Sequence, residues 1–370
     1  MRIATTLTLY VARVFSLNML GMLAALTGLV SLFDLIELLR RAANRPEATF
    51  AVVAEIAALR LPWAMMQILP FAVLLGGIMA FWRLTRSSEL IVARAAGLSA
   101  WQFLAGPTLC ALLLGVFAVG VVGPVSAAMR ARAEAIDSNF IKIGGGPLAL
   151  NGGQLWLRQA DRELDPQGVA LLRAQRVVMQ GGTLAAQGIS VFRLDGQDRL
   201  LERVEAKHGV LGDGYWALAE ARRIVPGRQP GPPHSMALAT SMTVDRVQES
   251  FAPPDTLSIW ALPSFIGMLD ASGFSSIRHR LYFHSLLAMP LLAGTMSLVA
   301  AGFSMRPARR GGVAQMIGSG VAAGFALFIV SKVAEEFGQT GTLPPPLAAW
   351  APIAAGLMLS VALLLHLEDG

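Results

Sequence analysis

The 370-residue chain is 54% hydrophobic and only 15% charged, against about 25% charged residues in soluble domains, which excludes a single water-soluble globule. Its net charge of +6 comes from scattered arginines with no basic run outside short loops, so no nucleic-acid partner is expected. The single Cys110 excludes an internal disulfide and a cysteine-paired zinc site, and says nothing about compartment.

A membrane-spanning helix needs about 20 mostly apolar residues, and six runs qualify: 14–36, 61–82, 101–123, 283–305, 313–331 and 347–366. The first is too long for a signal-peptide core and lacks a clean small-x-small cleavage pattern, so it reads as an uncleaved first span. At its far end Asp34 and Glu37 share a face, and Arg40 and Arg41 follow one turn later. Two readings stand open for these four residues. One is an ion-paired helix end, which is common and weak. The other is a basic lip whose arginine forks suit phosphate oxygens.

Arginine content orients the spans. Arg83, Arg86 and Arg94 after the second span, and Arg306, Arg309 and Arg310 after the fourth, fall on one side, expected to be cytoplasmic together with the N-terminus and the tail "HLEDG". The loop expected over 37–60 runs against the rule. It faces outward yet holds Arg40, Arg41, Arg45 and Arg60.

Between the second and third runs the chain reads "RSSELIVARAAGLS" (86–99). The stretch predicts a short surface helix. Ser87 or Ser88 would cap its start, Glu89 would oppose the positive end of the helix dipole, and Gly97 would end it in the left-handed conformation. On spacing alone this is an ordinary interfacial helix.

Composition changes over 124–280. Strand-like alternation appears at 154–160, 169–179, 188–194, 199–209, 215–224 and 236–247, separated by turn-forming "DPQG", "GG", "DGQD", "GDG" and "PGRQPGPP". Short strands at near-regular spacing predict a sandwich or jelly roll. Helical flanks are expected at 125–137 and 256–273. The fold expected is therefore an α-helical membrane protein with six transmembrane helices and an inserted all-β jelly-roll domain on the outer, periplasmic side. Its parts are 1–123 (spans 1–3), 124–280 (the jelly roll with its flanks) and 281–370 (spans 4–6).

In the fifth span Gly320-x-x-x-Gly324 permits close helix approach, within this chain or to another. Lys332 can pair with Glu335 or Glu336 a turn away. There is no G-x-x-x-x-G-K-[ST] loop, no H-E-x-x-H and no G-x-S-x-G, and the five histidines are scattered. Neither catalysis nor a cofactor or metal bound by this chain is expected.

"RSSELIVARAAGLS", following the proline-containing "LPWAMMQILPFAVLLGGIMAFWRL" (61–84), resembles the LptF/LptG permease family of the lipopolysaccharide exporter. The likeness covers the chain: three spans, a periplasmic jelly roll, three spans. The stretch "TGTLPPPLAAWAP" (340–352) looks more like the LptG branch than the LptF branch. The resemblance implies a permease subunit of a Gram-negative inner-membrane ABC transporter that extracts lipopolysaccharide and passes it to a periplasmic bridge. It implies an LptF-like partner permease, a homodimeric cytoplasmic LptB-like ATPase carrying the ATP and Mg, a single-span LptC-like protein and a periplasmic LptA-like bridge. Glu89 would be the acid of a coupling helix docked into the ATPase, with Ser87, Ser88, Leu90, Arg94 and Gly97 around it. Asp34, Glu37, Arg40 and Arg41 would lie in the lipopolysaccharide-contacting region, although acids stand where some bases are expected. Gly320 and Gly324 would pack on the partner permease at a lateral gate. An LptF-type subunit is one alternative. Another is a lipoprotein-release or mechanotransmission permease, which carries its outer domain after the first of four spans, not the third of six.

Overall fold

The computed structural model describes residues 2–43, 48–87, 89, 99–140, 149–151, 154–161, 165, 168–180, 183–197, 199–227, 229–240, 243, 253–271, 274–305 and 313–369. These form two compact units. One comprises 1–141, 254–263 and 277–370, and the other comprises 142–253 and 264–276. The flanking helix after the third span and the return segment at 254–263 therefore belong with the spans, not with the sheet as the expected boundaries had it. The reason is continuity, because the third apolar run continues without a break into the polar residues beyond it.

The first unit is helical: α1 (Arg2–Ala42), α2 (Phe50–Arg86), α3 (Ala100–Phe117), α4 (Gly123–Phe140), α6 (Ile277–Ser304), α7 (Val313–Gln339) and α8 (Pro345–Asp369). A π-helical turn, Ala118–Val122, joins α3 to α4. Among the described residues six helices are long and apolar enough to span a bilayer, as the hydropathy predicts. The first three run for 37 residues each, about 55 Å at 1.5 Å per residue, well beyond a hydrocarbon core of about 30 Å. The expected loop at 37–60 is thus largely helix, with α1 reaching Ala42 and α2 starting at Phe50.

The extensions have their own apolar seam of Leu38, Ala42, Val53, Ile56 and Ala133. The main core lies lower, where Phe15, Leu69, Leu74, Ile78, Phe81, Leu104 and Ala300 pack together. α1 and α7 leave large apolar residues exposed, among them Leu17, Phe33, Phe325 and Ile329, as lipid- or partner-facing helices do.

Among the described residues the second unit contains a seven-stranded antiparallel sheet: β1 (Ala149–Asn151), β2 (Gln154–Ala160), β3 (Val169–Gln180), β4 (Thr183–Leu194), β5 (Leu200–Gly212), β6 (Tyr215–Ile224) and β7 (His234–Ala239). The strands pair in sequence order, so the inserted all-β domain is built as one up-and-down sheet. Its alternation breaks once in each of four adjacent strands. Neither residue is buried in the pairs Gln175–Arg176, Gln187–Gly188, Lys207–His208 and Ala219–Glu220. These breaks line up through the pairings Arg176↔Gln187, Gln187↔His208 and His208↔Ala219.

Positive φ values occur on this line at Gly188 (63°) and Glu220 (52°), where ordinary strand geometry cannot continue. The line is a crease. Leu172, Val191 and Val204 on one side, and Leu184, Leu211 and Trp216 on the other, contribute to a single buried core. Leu269 and Phe274, from α5 (Leu262–Ala271) and just beyond it, pack into that core. Leu155 and Leu157 lie in it as the alternation predicts, whereas Leu200 at the start of β5 is exposed.

The same alternation carries a charge inward. Arg193 is buried on β4. Its guanidinium donates to both carboxylate oxygens of Asp161 and, at 2.9 Å, to Glu202, which also pairs with Arg223 at 3.3 Å. Burial alone would push the Arg193 guanidinium down, but the hydrogen bonds to the two carboxylates outweigh it and hold it above its ordinary value.

Candidate functional site

Two regions of the membrane unit carry the predicted functional residues. At one end, α2 stops at Arg86 and the Ser87 N–H donates to the Arg83 carbonyl at 3.0 Å. Ser87 therefore closes α2, and the cap expected of Ser87 or Ser88 for the next stretch falls on residues outside those described. Its hydroxyl lies 2.8 Å from Glu89 Oε1. That contact holds the Glu89 carboxylate beside the end of α2, half-buried. Thr85 Oγ1 sits 2.8 Å from the Phe81 carbonyl and 3.3 Å from the Ser304 carbonyl. The ends of α2 and α6 are thus stitched together, and the two arginine-bearing segments that follow them leave from the same end of the unit.

Ser99 starts α3 with a reciprocal cap. The Gln102 N–H donates to Ser99 Oγ at 3.3 Å, and the Ser99 N–H donates to Gln102 Oε1 at 3.4 Å. Ser88, Leu90, Arg94 and Gly97 lie outside the described residues.

At the other end, Glu37 collects both arginines. Arg40 donates twice, at 2.9 Å each, and Arg41 once, at 2.9 Å. These are i,i+3 and i,i+4 pairs on one helix face, with side-chain exposures of 76% for Arg40 and 54% for Arg41. Each guanidinium carries five N–H donors, so several remain for a ligand. Exposed pairs of this kind contribute little to stability. Glu37 orients the forks but releases them at little cost.

Asp34 is placed differently. It sits 3.4 Å from Arg60 on α2, whose other arm reaches Asp137 on α4 at 3.0 Å. Arg60 is 13% exposed and Asp137 is 3% exposed. Asp34 thus belongs to a structural ion cluster tying three helices, and the structure separates it from the exposed Glu37–Arg40–Arg41 group. A second tie runs from Arg130 on α4, which stacks on Trp63 at 4.3 Å and pairs with Asp255 at 3.2 Å. The sequence marked Arg60 only as an arginine against the positive-inside rule, with no hint of its partners, and did not mark Arg130. Partners 26 and 77 positions away leave no local signal.

Gly320 and Gly324 face inward. A Cβ on Gly320 would meet Ile78 and Phe303 at 3.1 Å, and one on Gly324 would run into the Leu74 side chain. The glycine stripe is occupied by α2 and α6 of this chain, which corrects its assignment to the partner permease. The exposed face of α7, with Phe325, Ile329 and Phe337, is what remains for another chain. Lys332 pairs with Glu335 at 2.6 Å, as its spacing predicts.

Residues 9–366 match the family described as lipopolysaccharide export system permease LptF/LptG. The chain is 25% identical over 316 residues to the lipopolysaccharide export system permease protein LptG of Escherichia coli K12, covering 80% of this chain and 81% of that one. It is 25% identical over 284 residues to the LptG of Haemophilus influenzae, covering 74% of each. With six spanning helices and an all-β insertion after the third, the chain belongs to the LptF/LptG family of lipopolysaccharide export permeases.

Proposed function

We propose that this chain is the LptG-type half of a two-permease exporter. Paired with an LptF-like subunit, it draws lipopolysaccharide from the outer leaflet of a Gram-negative inner membrane. Energy enters from a separate homodimeric LptB-like ATPase through the segment that begins at Ser87 and Glu89. Cargo leaves toward a periplasmic LptA-like bridge, with an LptC-like protein between them. The outer side receives the sheet unit, and the arginine-bearing segments after α2 and α6 face the cytoplasm. The edge strands β1 and β7 each pair on one side among the described residues, and such an edge can extend into a neighbouring sheet by strand addition.

The observation that carries this reading is the placement of Glu89. Its carboxylate is held by Ser87 at the end of the second span, between that helix and a freshly capped third. An acid in this position offers a docking group to a cytoplasmic subunit. Arg40 and Arg41, exposed at the opposite end, supply guanidinium forks for lipid phosphates.

The test is co-purification. Glu89→Ala is expected to lower ATPase retention by about tenfold or more, the size of losing one charge-assisted contact at a desolvated interface, while the permease stays folded. Full retention of the ATPase by that variant, with unchanged lipopolysaccharide-stimulated hydrolysis, would remove Glu89 from the coupling role.

A further inference from the structure

The third span breaks its helical pattern at the π-helical turn, where the Gly123 N–H donates to the Ala118 carbonyl. Pro124 has no N–H to give to the Gly120 carbonyl, one helical turn before it. A side chain from far along the sequence supplies a donor there. The Trp260 indole N–H points at the Gly120 carbonyl from 3.4 Å.

Trp260 stands on a tight turn just before α5. The Ala261 and Leu262 N–H groups both donate to the Ser258 carbonyl, at 3.0 and 3.1 Å, and the flanking Ile259 and Leu262 are buried. The turn is therefore seated on the protein, yet the Trp260 ring is 72% exposed, although tryptophan is highly buried on average.

α3 sets the depth of that ring. Leu109, Leu113, Val116, Phe117 and Val121 follow helical spacing along one face, and each is more than half exposed. No charged residue occurs from Trp101 to Gly120. That stretch is about 29 Å long at 1.5 Å per residue, against a hydrocarbon core of about 30 Å. An exposed tryptophan marks each end, Trp101 at the start of α3 and Trp260 on Gly120, as in the aromatic belts of spanning proteins. Charge returns only beyond the bulge. Arg130, about 15 Å past Gly120 along the helix, pairs with Asp255 of the same return segment as Trp260.

We propose that Trp260 is an interfacial anchor. Its ring lies where acyl chains meet headgroups, and the exposed face of α3 below it contacts acyl chains. The occupant of this face is bilayer lipid and not another protein chain. The face continues the apolar surface of the spanning helices, its uncharged length matches the hydrocarbon thickness, and its ends carry the two tryptophans. Because the indole N–H is engaged by Gly120, the ring meets lipid through its apolar body. The pin fixes the return segment at that depth, and α4 stands above it with Arg130 and Arg132 outside the hydrocarbon.

The test uses the full chain assembled with its partner permease and the ATPase in phosphatidylcholine vesicles. The lipids carry bromines either near the top of the acyl chains or near their ends. The fluorescence of the native chain minus that of Trp260→Phe isolates Trp260. This difference is expected to lose more intensity to bromines near the top than to bromines near the ends. A second measurement leaves Trp260 in place: nitroxides on Leu113→Cys and Val121→Cys, each with Cys110→Ala. The Leu113 label is expected to be reached by oxygen and shielded from a water-soluble nickel chelate, and the Val121 label to be reached by the chelate more readily. If Trp260→Phe does not assemble, the nitroxides decide. Fluorescence indifferent to both brominated lipids, stronger quenching from the chain ends, or labels screened from both oxygen and the chelate would each overturn the proposal. The last would show that a protein chain covers this face.

Discussion

Replacing Arg60 by Met separates the buried charges that tie α1, α2 and α4 together from the exposed arginines at the end of α1. Arg60 is 13% exposed and Asp137, its partner at 3.0 Å, is 3% exposed; Asp34 lies at 3.4 Å. Removing one member of a buried pair costs about 3–5 kcal/mol, because the remaining charge stays desolvated. The residual exposure of Arg60 places this case near the lower end, about 3 kcal/mol. Arg40→Ala removes only an exposed pair, which contributes little to stability. Hydrogen exchange on the full chain in detergent reads both. Arg60→Met is expected to speed exchange over residues 50–60 and 130–140 about a hundredfold, since each ~1.4 kcal/mol is a factor of ten, and Arg40→Ala to leave it within about twofold. Adding Asp137→Asn to Arg60→Met should restore part of the protection. Unchanged exchange in Arg60→Met, or an equal effect of Arg40→Ala, would refute the division between a structural Asp34–Arg60–Asp137 cluster and free arginine forks.

Arg193→Met leaves Asp161 and Glu202 buried without their guanidinium; limited proteolysis of the full chain should cut the sheet unit faster, consistent with a loss of about 3–5 kcal/mol. Gly324→Leu drives a side chain into Leu74 and should lower the apparent melting temperature through overpacking of about 1–3 kcal/mol. Acid acts on the sheet through Glu220, held below the usual carboxylate range by Lys207, and Asp195, held down by the Arg199 N–H. Depressed carboxylates stabilise fully above their unfolded values and lose that contribution as pH falls through the folded ones, so protection of β5 and β6 should decline below about pH 4.5 and not between pH 7 and 6. Lys207→Ala should flatten the part of that decline due to Glu220.

What could be read from the sequence follows from how local each signal is. The six spans are visible because hydropathy is a local sum, and β2 and β6 begin and end where period-two alternation predicts. The continuation of α1 and α2 across the expected loop at 37–60 was hidden, because polar extensions of a span look like loop by composition. The crease had a trace in the doubled non-core residues at 175–176, 187–188, 207–208 and 219–220, each interrupting an otherwise regular alternation. Extending the alternation from Ile189 and Val191 also reaches Arg193, so its burial was within reach of the same rule. The glycine stripe in α7 announces a close neighbour without saying whose helix it is, and only the approach of Leu74 and Ile78 decides. The coupling role expected for 86–99 came only from family likeness, since its spacing alone describes any interfacial helix.

The most direct test of the export account is cargo capture on the sheet unit during turnover. The chain, reconstituted with its partner permease and the ATPase in vesicles containing lipopolysaccharide, carries a photoreactive residue at Leu155, Val191 or Trp216, all in the creased core. The account predicts lipopolysaccharide crosslinks that require ATP and that fall sharply with Arg40→Glu plus Arg41→Glu or with Glu89→Ala. Crosslinks that form equally without ATP, or that are indifferent to all of these substitutions, would contradict it.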